Sequence, residues 1–237
     1  MLIPESMYRY SFSLLMSLLA CFAVVAQTEN AEPDTAPPPV ELNKYGQFRV
    51  GVDLSKIARN FFFKNQYSFE ISLDYYYKNE LYFVLEGGYG GSDITYTDLW
   101  YKSQNSFLRI GIDKTMTPRL FTRDMDMLFI GLRYGISSIS RTEAGYVILD
   151  DFWGNSMGTI PAKSFMGHWA EITGGMRVEL GKGLFAGYNI RAKFLINQKP
   201  FRELPPAYVA GYGNGEKTTA FDFNFYLQYA FRWKRSK

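Results

Sequence analysis

Residues 221–233 read FDFNFYLQYAFRW. Phe221, Phe223, Phe225, Leu227, Tyr229, Phe231 and Trp233 are large and apolar, and Asp222, Asn224, Tyr226, Gln228, Ala230 and Arg232 alternate with them. Successive side chains of an extended chain point to opposite faces, so this spacing predicts a β-strand with one apolar and one polar face. The same alternation recurs at residues 48–55, 67–77, 81–91, 107–114, 128–137, 169–180 and 184–195. The polar sets carry Arg49 and Asp53, then Glu70 and Asp74, Glu86, Arg109 and Asp113, and Arg133. They continue with Glu171, Arg177 and Glu179, then Arg191 and Lys193, and close with Asp222 and Arg232. Helices do not sustain a period of two over so many segments, so the reading is all-β.

The connections alternate as well. Residues 78–80 and 181–183 are tight turns, whereas 91–105, 138–167 and 197–219 are long. Long and short connections on opposite sides suit an antiparallel up-and-down transmembrane β-barrel of about eight strands. Two connections break the rule, since 117–126 is long and 58–66 short. Tyr146-Val147-Ile148-Leu149 either extends a hairpin beyond the barrel or adds a strand pair, making ten.

Alternation does not say which face is inside. A lipocalin-type barrel would turn its apolar face inward. Here the polar face carries nearly balanced charge in which arginine outnumbers lysine, and arginine suits buried, multiply bonded pairs. Its many glycines also suit a crowded lumen. The fifteen charged residues named above are therefore expected to form a lumenal ion-pair network. Phe221 to Trp233 of the apolar set are expected to face lipid.

Composition agrees. Aromatics make up 18% of the 237 residues, with 20 Phe and 18 Tyr, as strands bearing aromatic girdles require. A net charge of +3 is too mild to argue for nucleic acid. Residues 1–26 read as a signal peptide: Arg9 gives a positive start, 11–25 are apolar, and Val24-Val25-Ala26 offers a cleavage site. Leu18-Leu19-Ala20-Cys21 approximates a lipobox, but the apolar run continues past Cys21. Cys21 is the only cysteine, so cleavage after Ala26 leaves no thiol and no disulfide framework. Residues 27–46 read as a polar, Pro-rich, disordered periplasmic leader, 47–233 as the barrel and 234–237 as a basic tail.

These residues resemble small Gram-negative outer-membrane barrels of the OmpA transmembrane-domain and OmpX type. The resemblance is architectural and covers residues 48–233. The final strand resembles the C-terminal signal read by barrel-assembly machinery, with Tyr229, Phe231 and Trp233 at its end. It departs from that pattern because Lys234-Arg235-Ser236-Lys237 follow. Residues 131–137 and 168–171 also resemble a family of secreted barrels of unknown function. The resemblance implies an outer-membrane location, with outer-membrane lipid, lipopolysaccharide and the assembly machinery as partners.

Candidate chemistry is sparse. His168, the only histidine, is a candidate general base with Asp150 or Asp151 as orienter, but no G-x-S-x-G accompanies it. The simpler reading pairs His168 with Trp169 in an interfacial girdle. Adjacent acids at Asp150 and Asp151 lack EF-hand spacing, so neither metal nor cofactor is expected. Residues 211–215 read as a flexible outer loop. The loop aromatics Tyr146, Phe152, Trp153, Phe165, Phe201, Tyr208 and Tyr212 form either a binding surface or a cluster above the barrel.

The expected function is a non-enzymatic structural or surface-interaction role, with ion pairs filling the lumen and a surface or periplasmic protein as a partner. A narrow gated channel for small molecules or amphiphiles is the alternative. A surface enzyme using His168 is the third.

Overall fold

A computed structural model describes residues 40–149, 152 and 154–235. The signal peptide, residues 27–39 of the leader, Asp150, Asp151, Trp153 and the last two residues of the tail lie outside the described residues. The strands are β1 (Tyr45–Asp53), β2 (Gln66–Lys78), β3 (Leu81–Thr95), β4 (Leu99–Thr115), β5 (Met127–Arg141), β6 (Ala144–Ile148), β7 (Ser156–Ile160), β8 (Lys163–Gly181), β9 (Leu184–Leu195) and β10 (Thr219–Lys234). Eight of them, β1 to β5 and β8 to β10, pair antiparallel in a closed ring. Closure falls between β1 and β10, where Tyr45 faces Lys234 and Asp53 faces Tyr226. A closed ring leaves no unpaired edge in the wall.

The question of eight or ten strands resolves through β6 and β7. They form a hairpin outside the ring, joined to β4 where Leu99 faces Tyr146 and Trp100 faces Gly145. The long connection expected at residues 91–105 is instead strand: β3 and β4 continue as a ladder until Thr95 faces Trp100. Alternation fades there because the outward positions turn polar at Asp93, Lys102, Gln104 and Ser106 while pairing persists.

One end of the ring holds the start of β1 at Tyr45, the end of β10 at Lys234 and the tight turns, and is called the terminal end below. Asn79 and Glu80 have φ of 50° and 62°, and Lys182 and Gly183 have φ of 52° and 86°. Two successive positive φ angles give the turn whose twist matches paired strands. The predicted boundary of the leader shifts here. Tyr45 and Gly46 belong to β1, and Leu42 and Asn43 accept hydrogen bonds from the Tyr76 hydroxyl at 2.8 and 3.2 Å.

At the other end, the loop end, the short connection after β1 contains a helix, α1 (Leu54–Phe62). The expected strand to residue 55 stops at Asp53, whose carboxylate accepts from the Ser55 backbone N–H at 2.8 Å and so caps the helix. The helix is amphipathic. Lys56 is buried beneath it, and Phe61 and Phe62 are about four-fifths exposed. It packs over β10 and β2.

Candidate functional site: the filled lumen and its plugged mouth

The wall turns its polar face inward. Arg49, Asp53, Glu70, Asp74, Glu86, Arg109, Asp113, Arg133, Glu171, Arg177, Arg191 and Lys193 are all buried. The outward set of β10, from Phe221 through Trp233, is exposed at every position, and Phe221 reaches 78%. Phe83, Leu108, Ile110, Ile130, Leu132, Ile172 and Ile190 continue this exposed apolar surface around the ring.

Five arginines and five carboxylates form one continuous net. Arg49 meets Asp74 at 2.6 Å; Asp74 meets Arg177 at 3.2 Å, and Arg177 meets Asp113 at 3.2 Å. Asp113 meets Arg133 at 2.7 Å, and Arg133 reaches Glu86 at 3.9 Å. Glu86 takes Arg109 at 3.0 Å and Arg191 at 2.8 Å, and both arginines also contact Glu171, at 3.3 and 3.2 Å. Glu70 bonds Arg109 and the Tyr226 hydroxyl. Equal numbers of opposite charges let each ion keep partners where water is scarce, which is the condition under which buried ions are tolerated.

The remaining predicted members separate from this net. Lys193 pairs with Asp222 at 2.8 Å nearer the loop end. Arg232 pairs with Glu179 at 2.6 Å near the terminal end, where both side chains are about one-quarter exposed. Asp53 takes neutral partners, Asn224 at 2.5 Å and the Ser55 backbone, because it terminates β1 and caps α1.

Sequence reasoning missed several participants. Lys56 joins Asp222 at 2.6 Å from α1. Burial alone would lower the Lys56 ammonium, but the Asp222 carboxylate outweighs it and holds the group above the ordinary lysine range. Trp169, expected in a girdle with His168, points inward because adjacent strand residues face opposite sides. It is fully buried and donates to Glu171 at 2.5 Å. A Cβ at Gly135, facing it on β5, would come within 2.2 Å of the Trp169 ring, so glycine is what lets this indole enter the lumen. The full indole in a region of lumenal glycines was the available signal.

The largest correction concerns residues 197–218. Expected as a long outer connection, with residues 211–215 a flexible loop, this segment folds down into the mouth. Phe201, Tyr208, Val209, Ala210 and Tyr212 are buried against Phe107, Ile139, Trp169 and Leu195. Asn105 clasps the plug twice, accepting from the Ala210 N–H at 2.5 Å and donating to the Tyr208 carbonyl at 3.1 Å. Lys193 and Arg109 donate to the Gly211 carbonyl at 2.7 and 3.1 Å. Gly211 has φ of +79°, and a Cβ there would strike the Phe107 ring at 2.5 Å. Burial pushes the Tyr212 hydroxyl up to about 12. Of the loop aromatics, Phe201, Tyr208 and Tyr212 thus pack together in the plug, Phe165 borders them, and Phe152 is exposed.

The terminal end is filled by Tyr76, Tyr82, Met127 and Phe129, with Met125 and Phe185 beside them. Arg119, from the long 117–126 connection, pairs with Glu80 at 2.6 Å below this cluster.

His168 faces outward. Its Nδ1 lies 3.0 Å from the Tyr134 hydroxyl, and its backbone N–H donates to Asn197 at 2.7 Å. Among the described residues, no three His, Cys, Asp or Glu side chains are grouped to hold a metal ion.

The sequence matches the family described as Domain of unknown function (DUF6048) over residues 7–234, and the chain belongs to that family. No curated protein matches it significantly. Among solved structures, the chain is similar to Neisserial surface protein A (NspA), with 11% identity and a TM-score of 0.36 over 81% of this chain and 96% of that one. It is also similar to the N-terminal β-barrel domain of Pseudomonas aeruginosa OprF, with 10% identity and a TM-score of 0.25 over 81% of this chain and all of that one.

Proposed function

We propose that the protein is an outer-membrane β-barrel with a non-enzymatic structural or surface-interaction role. In this reading residues 1–26 direct export and the terminal end lies in the periplasm. The loop end, with α1, the β6–β7 hairpin and the plug rim, lies outside the cell. The outward band supports a lipid surroundings: apolar side chains around a whole ring are far more than a soluble surface exposes. Aromatic pairs border the band. Tyr75 with Trp233 and Tyr77 with Phe83 lie toward the terminal end, and Phe69 with Tyr89 lies toward the loop end. Outer-membrane lipid and lipopolysaccharide would contact this band, and barrel-assembly machinery would read β10.

The observation that carries the functional reading is the filling of the lumen. The net of five arginines and five carboxylates stands between an aromatic floor and a plug. A small barrel filled this way is a rigid post rather than a pore. Purified protein in planar bilayers is expected to give no single-channel steps, and stable steps would overturn the reading. Membrane fractionation with heat-modifiable gel migration tests the location separately.

A gated passage would require the plug to lift and the net to part together. Arg133→Ala or Arg191→Ala would then change small-molecule uptake. Surface catalysis through His168 is less well supported, because the partner of its Nδ1 is the Tyr134 phenol.

A further inference from the structure

At the loop end a cavity of about 330 Å³ opens between α1, the plug and the start of β10, and Lys56, Arg59, Lys217, Asp222, Tyr212 and Phe221 are among its lining residues. Its charge is lopsided. Asp222 is the only carboxylate among the described residues of the lining, and it is already held by Lys56 at 2.6 Å and by Lys193 at 2.8 Å. Its other oxygen accepts the Phe223 N–H at 3.1 Å. Of the nearby acids, Asp53 caps α1 and bonds Asn224, Glu70 bonds Arg109, and Glu216, next to Lys217 in the chain, is exposed and lies outside the lining.

Arg59 therefore faces this cavity with no carboxylate partner among the described residues. It lies over the Tyr208 ring at 4.7 Å and gives one terminal nitrogen to Gln66 at 2.8 Å. Its Nε is buried away from the opening, and its second terminal nitrogen, Nη1, makes no hydrogen bond among the described residues. Lys217 adds an exposed ammonium at the same opening. A guanidinium with an unused donor beside a second cation is the chemistry that receives a phosphate or carboxylate.

The rim is apolar on the outward side. Phe221 lines the cavity and is 78% exposed on the outer wall; Phe61 and Phe62, outside the lining, are exposed farther along α1. A ligand held here would have its anionic head in the cavity and its apolar part against the outward band below Phe221.

We propose that this cavity binds the phosphate head of an acylated lipid of the outer leaflet, with Arg59 and Lys217 as the recognising groups. Lys56 and Lys193 belong to the frame, since both are tied to Asp222. The inference rests on the membrane reading above and goes further, by assigning a lipid-head site.

The test uses the full chain purified from membranes in a neutral detergent, with lipid retention followed by native mass spectrometry. Phosphatidic acid and phosphatidylcholine share acyl chains but differ in head charge. Phosphatidic acid is expected to be retained about tenfold more strongly, as one additional charge-assisted hydrogen bond provides. The Arg59→Gln/Lys217→Gln double variant is expected to lose this preference while keeping heat-modifiable migration, which reports that the barrel has folded. Equal retention of the two lipids by the unaltered protein would overturn the site, as would an undiminished preference in the folded double variant. Inorganic phosphate binding as tightly as phosphatidic acid would overturn the lipid assignment. Recovery of the chain in the soluble fraction would instead overturn the membrane reading, and this inference with it.

Discussion

Arg191 on β9 meets Glu86 on β3 with both terminal nitrogens, each at 2.8 Å from one carboxylate oxygen. The two strands are not neighbours in the ring, so this bidentate pair ties opposite parts of the wall together through the lumen. Removing one member leaves the other ionised in a buried setting, which costs about 3–5 kcal/mol. Arg191→Ala is expected to lower the urea stability of the barrel in lipid vesicles by that order, read by tryptophan fluorescence. Lys102→Ala, which removes an exposed pair with Asp93, is expected to leave the unfolding curve unchanged.

The plug depends on Gly211. A side chain there would add the left-handed backbone penalty, about 1–2 kcal/mol, to a collision with Phe107. Gly211→Val is expected to dislodge the plug while the wall stays closed. Trypsin cleavage at Lys217 should accelerate, with heat-modifiable migration retained; unchanged cleavage would show that the plug tolerates the side chain.

The pH dependence of the mouth follows from Lys56. Its folded value is raised, so its stabilising contribution is complete below the ordinary lysine value. It is lost only as pH rises through the higher folded value. The stability difference between the unaltered protein and Lys56→Met is therefore expected to be flat from neutral to mildly alkaline pH and to shrink above the lysine range. Paired urea titrations measure it, and a difference that falls near neutrality would contradict the assignment.

Leu227 lies halfway along the outward face of β10, opposite Val52 and Ala186. If that face meets hydrocarbon, Leu227→Arg costs about 2–4 kcal/mol of folding into vesicles. On a water-facing surface the same change would be close to neutral. Folding yield in phospholipid vesicles distinguishes the two.

What could be read from the chain varied with the amplitude of its alternation. β9 was legible to its ends because Leu184 and Leu195 bound a run that stays apolar outward. β4 was legible only from residue 107, since Lys102, Gln104 and Ser106 rise beyond the apolar band and their outward positions lose contrast. Helix α1 was hidden because Val52, Asp53, Leu54 and Ser55 continue the period of two across the cap. The charged lumen was legible as a set, since each member sits opposite an apolar position on its own strand.

The sequence by itself determined the strands, their two faces and the residue types turned inward, because these follow from a local period of two. Only the tertiary structure decided which inward charges meet, because a closed ring brings Arg191 to Glu86 and Lys56 to Asp222 across more than a hundred residues of chain. It alone decided the plug as well. A glycine- and proline-rich segment has no period to read, and its order comes from Asn105, Lys193 and Phe107, which the closed wall brings against it.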